Sequence, residues 1–455
     1  MNKTFDLGKD PIGKIFIAYA LPGVMGMIAM SAAGIIDGIF IGRFVGTSAL
    51  AAVNLINPLA SLAIGLSIMI GVGGATTAAA ELGAGNIQGA RNSYTVTVLL
   101  ISALALIITV AGLIFMDPLV RLLGAEGALA ADVKEYLGSI ILFFLFFMLS
   151  FLLDSFIRSD GSPVFSVTVL LGSSLLNIVL DYLFVGRFGW GLRGAAFATG
   201  FSQAGAVVLL GSYMISGQTR YRLVRPRFEF RRLGKMMFNG SSELVNELSL
   251  GISTLVFNYI LLTRLGSPGV AAFSVVGYGA MLAKMIFGGI AQAVQPGISY
   301  NLGAGKLDRI RSFLKLGLLV NIGAGLMACT VMISLRRPLA LLFAGTRTDV
   351  VELTARIALL YSFSLLLTGS NFVMSMFFTA VHRAADSAVI AFCRSLLFFM
   401  TGLFVLPLFL GDDGLWLTAV FAEGLTLITA FLLFRFRPLD EKQVRRISHS
   451  LKQAS

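Results

Sequence analysis

Long apolar stretches alternate with short polar turns along the whole chain. Twelve such stretches fall at 14–39, 49–80, 93–116, 133–157, 163–185, 193–215, 237–263, 269–298, 312–334, 352–380, 387–410 and 414–436. A helix rises about 1.5 Å per residue, so each stretch is long enough to cross a hydrocarbon core about 30 Å thick. A membrane strand would show only about 10 residues of alternating polarity, and the runs here are longer and continuous. The pattern predicts an all-α integral membrane protein with twelve transmembrane helices. The first stretch is too long for a signal-peptide core and no small-residue cleavage site follows it, so it is expected to be a retained span.

The polar turns repeat at a nearly constant shift. ELGAGNIQGAR at 81–91 returns as NLGAGKLDRIR at 301–311, and VGTSALAAV at 45–53 returns as LGSPGVAAF at 265–273, both 220 residues on. Gly194 and Gly414 keep that shift, and IGK at 12–14 returns as LGK at 233–235. Arg158-Ser-Asp-Gly and Arg383-Ala-Ala-Asp close the fourth and tenth spans. Two pseudo-symmetric six-helix lobes are therefore expected. Six is even, so both enter from the same side and form a parallel repeat. The expected division is an N-terminal lobe at 1–215, a basic linker at 216–236, a C-terminal lobe at 237–437 and a tail at 438–455. Two similar lobes can rock about a shared cleft and expose it to each side in turn. One chain of 455 residues already holds both, so a monomer is expected to suffice.

Composition narrows the class. Apolar residues make up 57% of the chain and charged residues 13%, against about 25% charged in soluble domains, which excludes a water-soluble enzyme. The net charge of +12 does not point to nucleic acid, because the basic residues sit in short loops. Lys3, Lys9, Lys14, Arg91, Arg158, the run from Arg220 to Lys235, the turn from Lys306 to Lys315, Arg383 and the tail all fall on one side. The excess places both termini in the cytoplasm, with contacts to anionic lipid in the bilayer; a bacterial inner membrane fits. Cys329, Cys393, His382 and His449 offer no metal spacing, and no catalytic or nucleotide-binding motif is present. No cofactor is expected.

Ionisable residues inside spans are costly and mark functional positions. Asp37 lies deep in span 1. Asn177 and Asp181, one turn apart on span 5, share a face. These make the strongest local case, either as an ion site or as hydrogen-bonded glue between helices. Thr199 lies on span 6. Asp154 stands one turn from Arg158, which favours a simple ion pair. In the second half, Glu243 and Glu247 share a face of span 7, Lys284 and Met281 are on span 8, Arg394 on span 11 and Glu423 on span 12. These five, Arg394 apart, are expected substrate or second-lobe contacts. Lys284 serves either as counter-charge to the glutamates or as a lining residue; Arg394 reads as structural, and Glu423 as either a cation contact or a satisfied buried acid. Pro22 and Pro58 remove backbone bonds and are expected to bend spans 1 and 2. Met and Phe are suited to an adaptable cleft.

Over residues 8–437 the chain resembles the multidrug and toxic compound extrusion (MATE) transporters. The resemblance rests on the two parallel halves, GTSALAAVNLINP at 46–58, the LGAG turns at 82–85 and 302–305, Arg158-Ser-Asp-Gly-Ser-Pro163 and NIVLDYLF at 177–184. It implies a cation-coupling site at Asp37, Asn177, Asp181 and Thr199, with Pro22 at the helix-1 bend, as on the DinF/MepA-like side of the family. Span 10 carries no acid, so a second-lobe sodium site like that of the other branch is not expected. The implied function is antiport: export of small organic cations against inward H+, or Na+ at the same site. A flippase for lipid-linked sugars is the alternative, disfavoured because the intramembrane charges are mixed.

Overall fold

The structure, a computed structural model, describes residues 5–217, 219–344 and 348–453. Among them every regular element is helical. In chain order they are α1 (Ile12–Phe40), α2 (Thr47–Gly83), α3 (Ile87–Ile114), α4 (Met116–Leu122), α5 (Gly127–Ile140), α6 (Phe144–Ser159), α7 (Pro163–Asp181), α8 (Gly191–Ile215), α9 (Phe230–Gly303), α10 (Leu307–Ala344), α11 (Thr348–Ala380), α12 (Ala384–Phe392), α13 (Phe398–Leu410), α14 (Asp413–Phe436) and α15 (Glu441–Gln453). Among the described residues eleven helical stretches are long and apolar enough to cross a membrane, and one of them, α9, has 74 residues. Gly266 breaks it with φ 64° and ψ −163°, a conformation open to glycine and strained for other residues. The Phe257 and Phe273 rings lie 4.8 Å apart, whereas a straight helix would separate them by about 24 Å. The chain thus doubles back, and α9 supplies two crossings, which reconciles eleven stretches with the twelve spans expected. Spans 4 and 11 are each built from two helices in series, α5–α6 through a 3₁₀ turn and α12–α13 through a π turn.

Two compact units form. Among the described residues, one holds 5–7, 25–240 and 451–453; the other holds 8–24 and 241–450. The boundary in α1 therefore falls just after Pro22. Within the first unit, the start of α9 crosses α2 at backbone contact: a Cβ on Gly240 would lie 1.9 Å from the Met69 carbonyl oxygen. Within the second, the start of α1 meets the later part of α9 in the same way, since a Cβ on Gly289 would lie 2.6 Å from the Val24 nitrogen. Small residues permit this approach, the usual means of close packing between membrane helices.

The basic linker is docked, and its end is helical. Residues from Phe230 on belong to α9, so Arg231, Arg232 and Lys235 extend a helix instead of occupying a loop. Upstream, Arg220 Nε donates to Asp160 Oδ1 at 3.0 Å, the Val224 N–H to Thr95 Oγ1 at 3.0 Å and the Arg227 N–H to Asn92 Oδ1 at 2.8 Å. Tyr221 is fully buried, and burial pushes its phenol above the ordinary range. Arg232 pairs with Glu81, and Ser93 Oγ donates to the same carboxylate at 2.8 Å. Arg220 and Arg232 therefore neutralise acids of their own unit, which makes them poor lipid contacts. A buried carboxylate without such a partner would be costly.

Candidate functional site

The sequence elements that carry Asp37, Asn177, Asp181 and Thr199 come together inside the first unit. Asp37 is on α1, Asn177 and Asp181 on the last turns of α7, and Thr199 on α8. A common apolar floor holds them. Ile41, one turn beyond Asp37, packs in one cluster with Val185, one turn beyond Asp181, and with Ala195 and Ala196, one turn before Thr199. Both acids precede π turns, Ile41–Val45 after α1 and Tyr182–Arg187 after α7. A π turn widens the helix by a residue, re-aims the side chains around it and recurs at functional positions.

The two carboxyl groups face each other within hydrogen-bonding range. Asp181 is 0% exposed and Asn177 8%, while Asp37 and Thr199 are half-buried. Asn177 Nδ2 donates to Thr199 Oγ1 at 3.5 Å, a long contact. Neither Asp181 oxygen receives a hydrogen bond from a described protein group, nor does Oδ1 of Asp37. Ordinarily a buried polar atom is satisfied, and the helix-glue alternative would require donors here. What remains is two facing acids, with the Asn177–Thr199 contact reached one turn back along α7 and no basic side chain among them. Such a set accepts a proton or a small cation. The sequence analysis did not single out Tyr136. It lies on α5, 8% exposed, within electrostatic reach of both Asp37 and Asp181. A tyrosine just after Lys134-Glu135 at the start of span 4 was the signal, and many such tyrosines serve packing alone.

Asp154 is separate from this group. It accepts from Arg158 Nε at 2.8 Å and from Ser166 Oγ. The remaining candidates lie in the second unit and do not form one cluster. Glu423 is 8% exposed and accepts from Asn371 Nδ2 at 2.6 Å. Met281 is 38% exposed. Lys284 is half-buried, and the basic charge that falls on Glu243 and Glu247 comes from Arg394 instead. The sequence offered Lys284 as the counter-charge or as a lining residue and Arg394 as structural; the fold sets Arg394 beside the glutamates because α12–α13 brings it to α9.

The family model for MatE matches residues 22–183 and again 245–404. The chain belongs to the MatE family. The paired matches fall on the two halves inferred from the repeated turns. Similarity to individual members is distant but extends over nearly the full length. The Multidrug export protein MepA of Staphylococcus aureus (strain MSSA476) is 26% identical over 430 residues, covering 93% of this chain and 94% of that protein. The MepA of Staphylococcus saprophyticus is 24% identical over 436 residues with the same coverage. Among solved structures, a MATE protein in complex with MaL6 aligns with TM-score 0.90 at 22% identity, covering 97% of this chain and 98% of that one. An outward-facing multidrug resistance MATE transporter of the MOP superfamily aligns with TM-score 0.89 at 23% identity, covering 98% and 100%. MATE proteins are multi-pass membrane transporters and not enzymes, and the fold of this chain is theirs.

Proposed function

We propose that this chain is a multidrug efflux antiporter that exports organic cations in exchange for inward-moving H+. It works as a monomer in the bacterial cytoplasmic membrane with both termini inside. Asp37, Asn177, Asp181 and Thr199 form the coupling site, and Pro22 marks the bend of α1 that answers to it. The observation that carries the reading is the Asp37–Asp181 pair: Asp181 is buried, Asp37 half-buried beside it, and among the described residues neither Asp181 oxygen nor Asp37 Oδ1 has a protein donor. Two negative charges at that range repel strongly in a low-dielectric interior. One proton held between them removes the repulsion and lets the carboxyl groups share a hydrogen bond. Gain and loss of that proton changes how α1 packs against α7. An ion that prefers one packing shifts the population towards it, by as much as its affinity differs between the two. That differential is what ties an ion gradient to a lobe movement. Export of drugs as the cargo is supported by the naming of the MepA relatives as multidrug export proteins.

Na+ is a second reading, because two carboxylates, the Asn177 carbonyl and the Thr199 hydroxyl are a hard oxygen set suited to an alkali cation. The decisive experiment uses purified protein in liposomes with ethidium as cargo, under ΔpH alone or ΔpNa alone. Ethidium movement under ΔpH supports the proton. Movement under ΔpNa at clamped pH overturns the proton assignment in favour of sodium, and no movement under either overturns the exporter reading.

A further inference from the structure

A second polar group, wholly inside the second unit, has a different character. Glu243, Asn246 and Glu247 lie three and four residues apart on α9 and so share one face. Arg394 stands in the π turn Cys393–Leu397 that joins α12 to α13. Its guanidinium donates to Asn246 Oδ1 at 2.5 Å and lies 4.3 Å from the centroid of the Phe372 ring on α11. Ser395 Oγ donates to the same amide oxygen at 3.3 Å. The charge of Arg394 acts on both glutamates, yet among the described residues it closes no direct ion pair with either. Glu243, Asn246, Glu247, Phe372 and Arg394 are all half-buried, so the group is not sealed into the core.

A ring face, an amide carbonyl and two carboxylates are what a flat, delocalised cation needs. The ring attracts it through its quadrupole, and the oxygens take its N–H groups in charge-assisted bonds. A guanidinium is itself a flat delocalised cation, and here it holds that position while attached to the protein. With both glutamates ionised, one arginine leaves the group net negative. We propose that this group is a binding box for planar organic cations and that Arg394 is its resident occupant, displaced from Phe372 and Asn246 when cargo enters. The idea deepens the export reading above by assigning where cargo cations are recognised. It also commits Arg394 to competition with the cargo, whereas a merely structural arginine would clamp α9 to α11 and compete with nothing.

The test is equilibrium binding of ethidium to the full-length protein in lipid nanodiscs, read by fluorescence anisotropy. Binding to a site that is only fractionally vacant is weakened by that fraction, so Arg394→Ala is expected to tighten the Kd by about tenfold. In that background Phe372→Leu should weaken it by about fivefold, the worth of one cation–π contact. An unchanged or weaker Kd for a folded Arg394→Ala protein overturns the competition and leaves a structural clamp. Should that variant fail to fold, Arg394→Gln, which keeps a hydrogen-bond donor for Asn246 but removes the competing cation, decides: a Kd tightened by about tenfold supports the box, and an unchanged or weaker Kd overturns it. Gradient-driven ethidium transport by the native protein is run in parallel. Ion-driven transport with no change of Kd in any variant faults the box alone; the predicted Kd changes without transport under any gradient fault the export reading alone.

Discussion

Two acid pairs, one in each unit, are treated in opposite ways. In the first, Asp37 and Asp181 face each other with no base nearby and with buried oxygens that no described protein group bonds. In the second, Glu243 and Glu247 sit under the charge of Arg394, which is itself held by an amide and a ring. The first unit shows, at its edge, what full compensation looks like: Glu81, 2% exposed, is held by Arg232 and Ser93. A carboxylate with a permanent partner is already neutral, and binding an ion there would have to break that partnership. One without a partner is left with an exchangeable ion as its means of compensation. On the proposed reading, depth in the membrane alone does not mark a coupling acid; the missing counter-charge does.

The sharpest way to break the contrast is Asp181→Asn. It is expected to abolish gradient-driven export in proteoliposomes while leaving the thermal midpoint in detergent unchanged or higher, since an uncompensated charge has been removed. Robust exchange in that variant would end the coupling role. Arg232→Ala makes the reverse change and turns a compensated acid into a bare one. Leaving Glu81 buried and unpaired is expected to cost about 3–5 kcal/mol, with much recovered by adding Glu81→Gln; chemical or thermal unfolding of the two variants measures it. Tyr136→Phe removes one hydroxyl beside the Asp pair and should cost about 1 kcal/mol, or roughly fivefold in ion-driven rate. A rate equal to native would show that Tyr136 only packs. At the far end, the Arg337–Glu352 pair is about two-thirds exposed on both sides, at 65% and 59%. Arg337→Ala should change stability by less than about 1 kcal/mol, and a larger fall would mean that solvent-facing pairs matter here as well.

Much of this was readable in advance, for specific reasons. A span must be apolar along its whole length and must satisfy its own backbone, so the twelve crossings are visible as runs of letters. Repeated turns such as LGAG at 82–85 and 302–305 stand out because glycine supplies the conformation that ends one helix and begins the next: Gly85 and Gly305 both have positive φ. The doubling back at Gly266 was marked by the Gly-Ser-Pro-Gly sequence between spans 7 and 8. The π turns after Asp37 and Asp181 were invisible, because a one-residue widening leaves no trace in apolar periodicity. Tyr136 was missed for a related reason: nothing in a lone tyrosine says which acid it faces.

Sequence alone determined the class of the molecule, its crossings, its repeat and the chemistry available within the bilayer. These follow from local rules, since every residue in a span answers individually to the cost of polar groups in hydrocarbon. Which charges meet is another kind of fact. That Arg394 and not Lys284 lies beside Glu243 and Glu247, that Arg220 and Arg232 are docked on acids, and that α1 is shared between units after Pro22 were decided by tertiary packing. Each depends on how helices far apart in the chain turn and approach, and Coulomb energy falls with distance in space, to which distance in sequence is no guide.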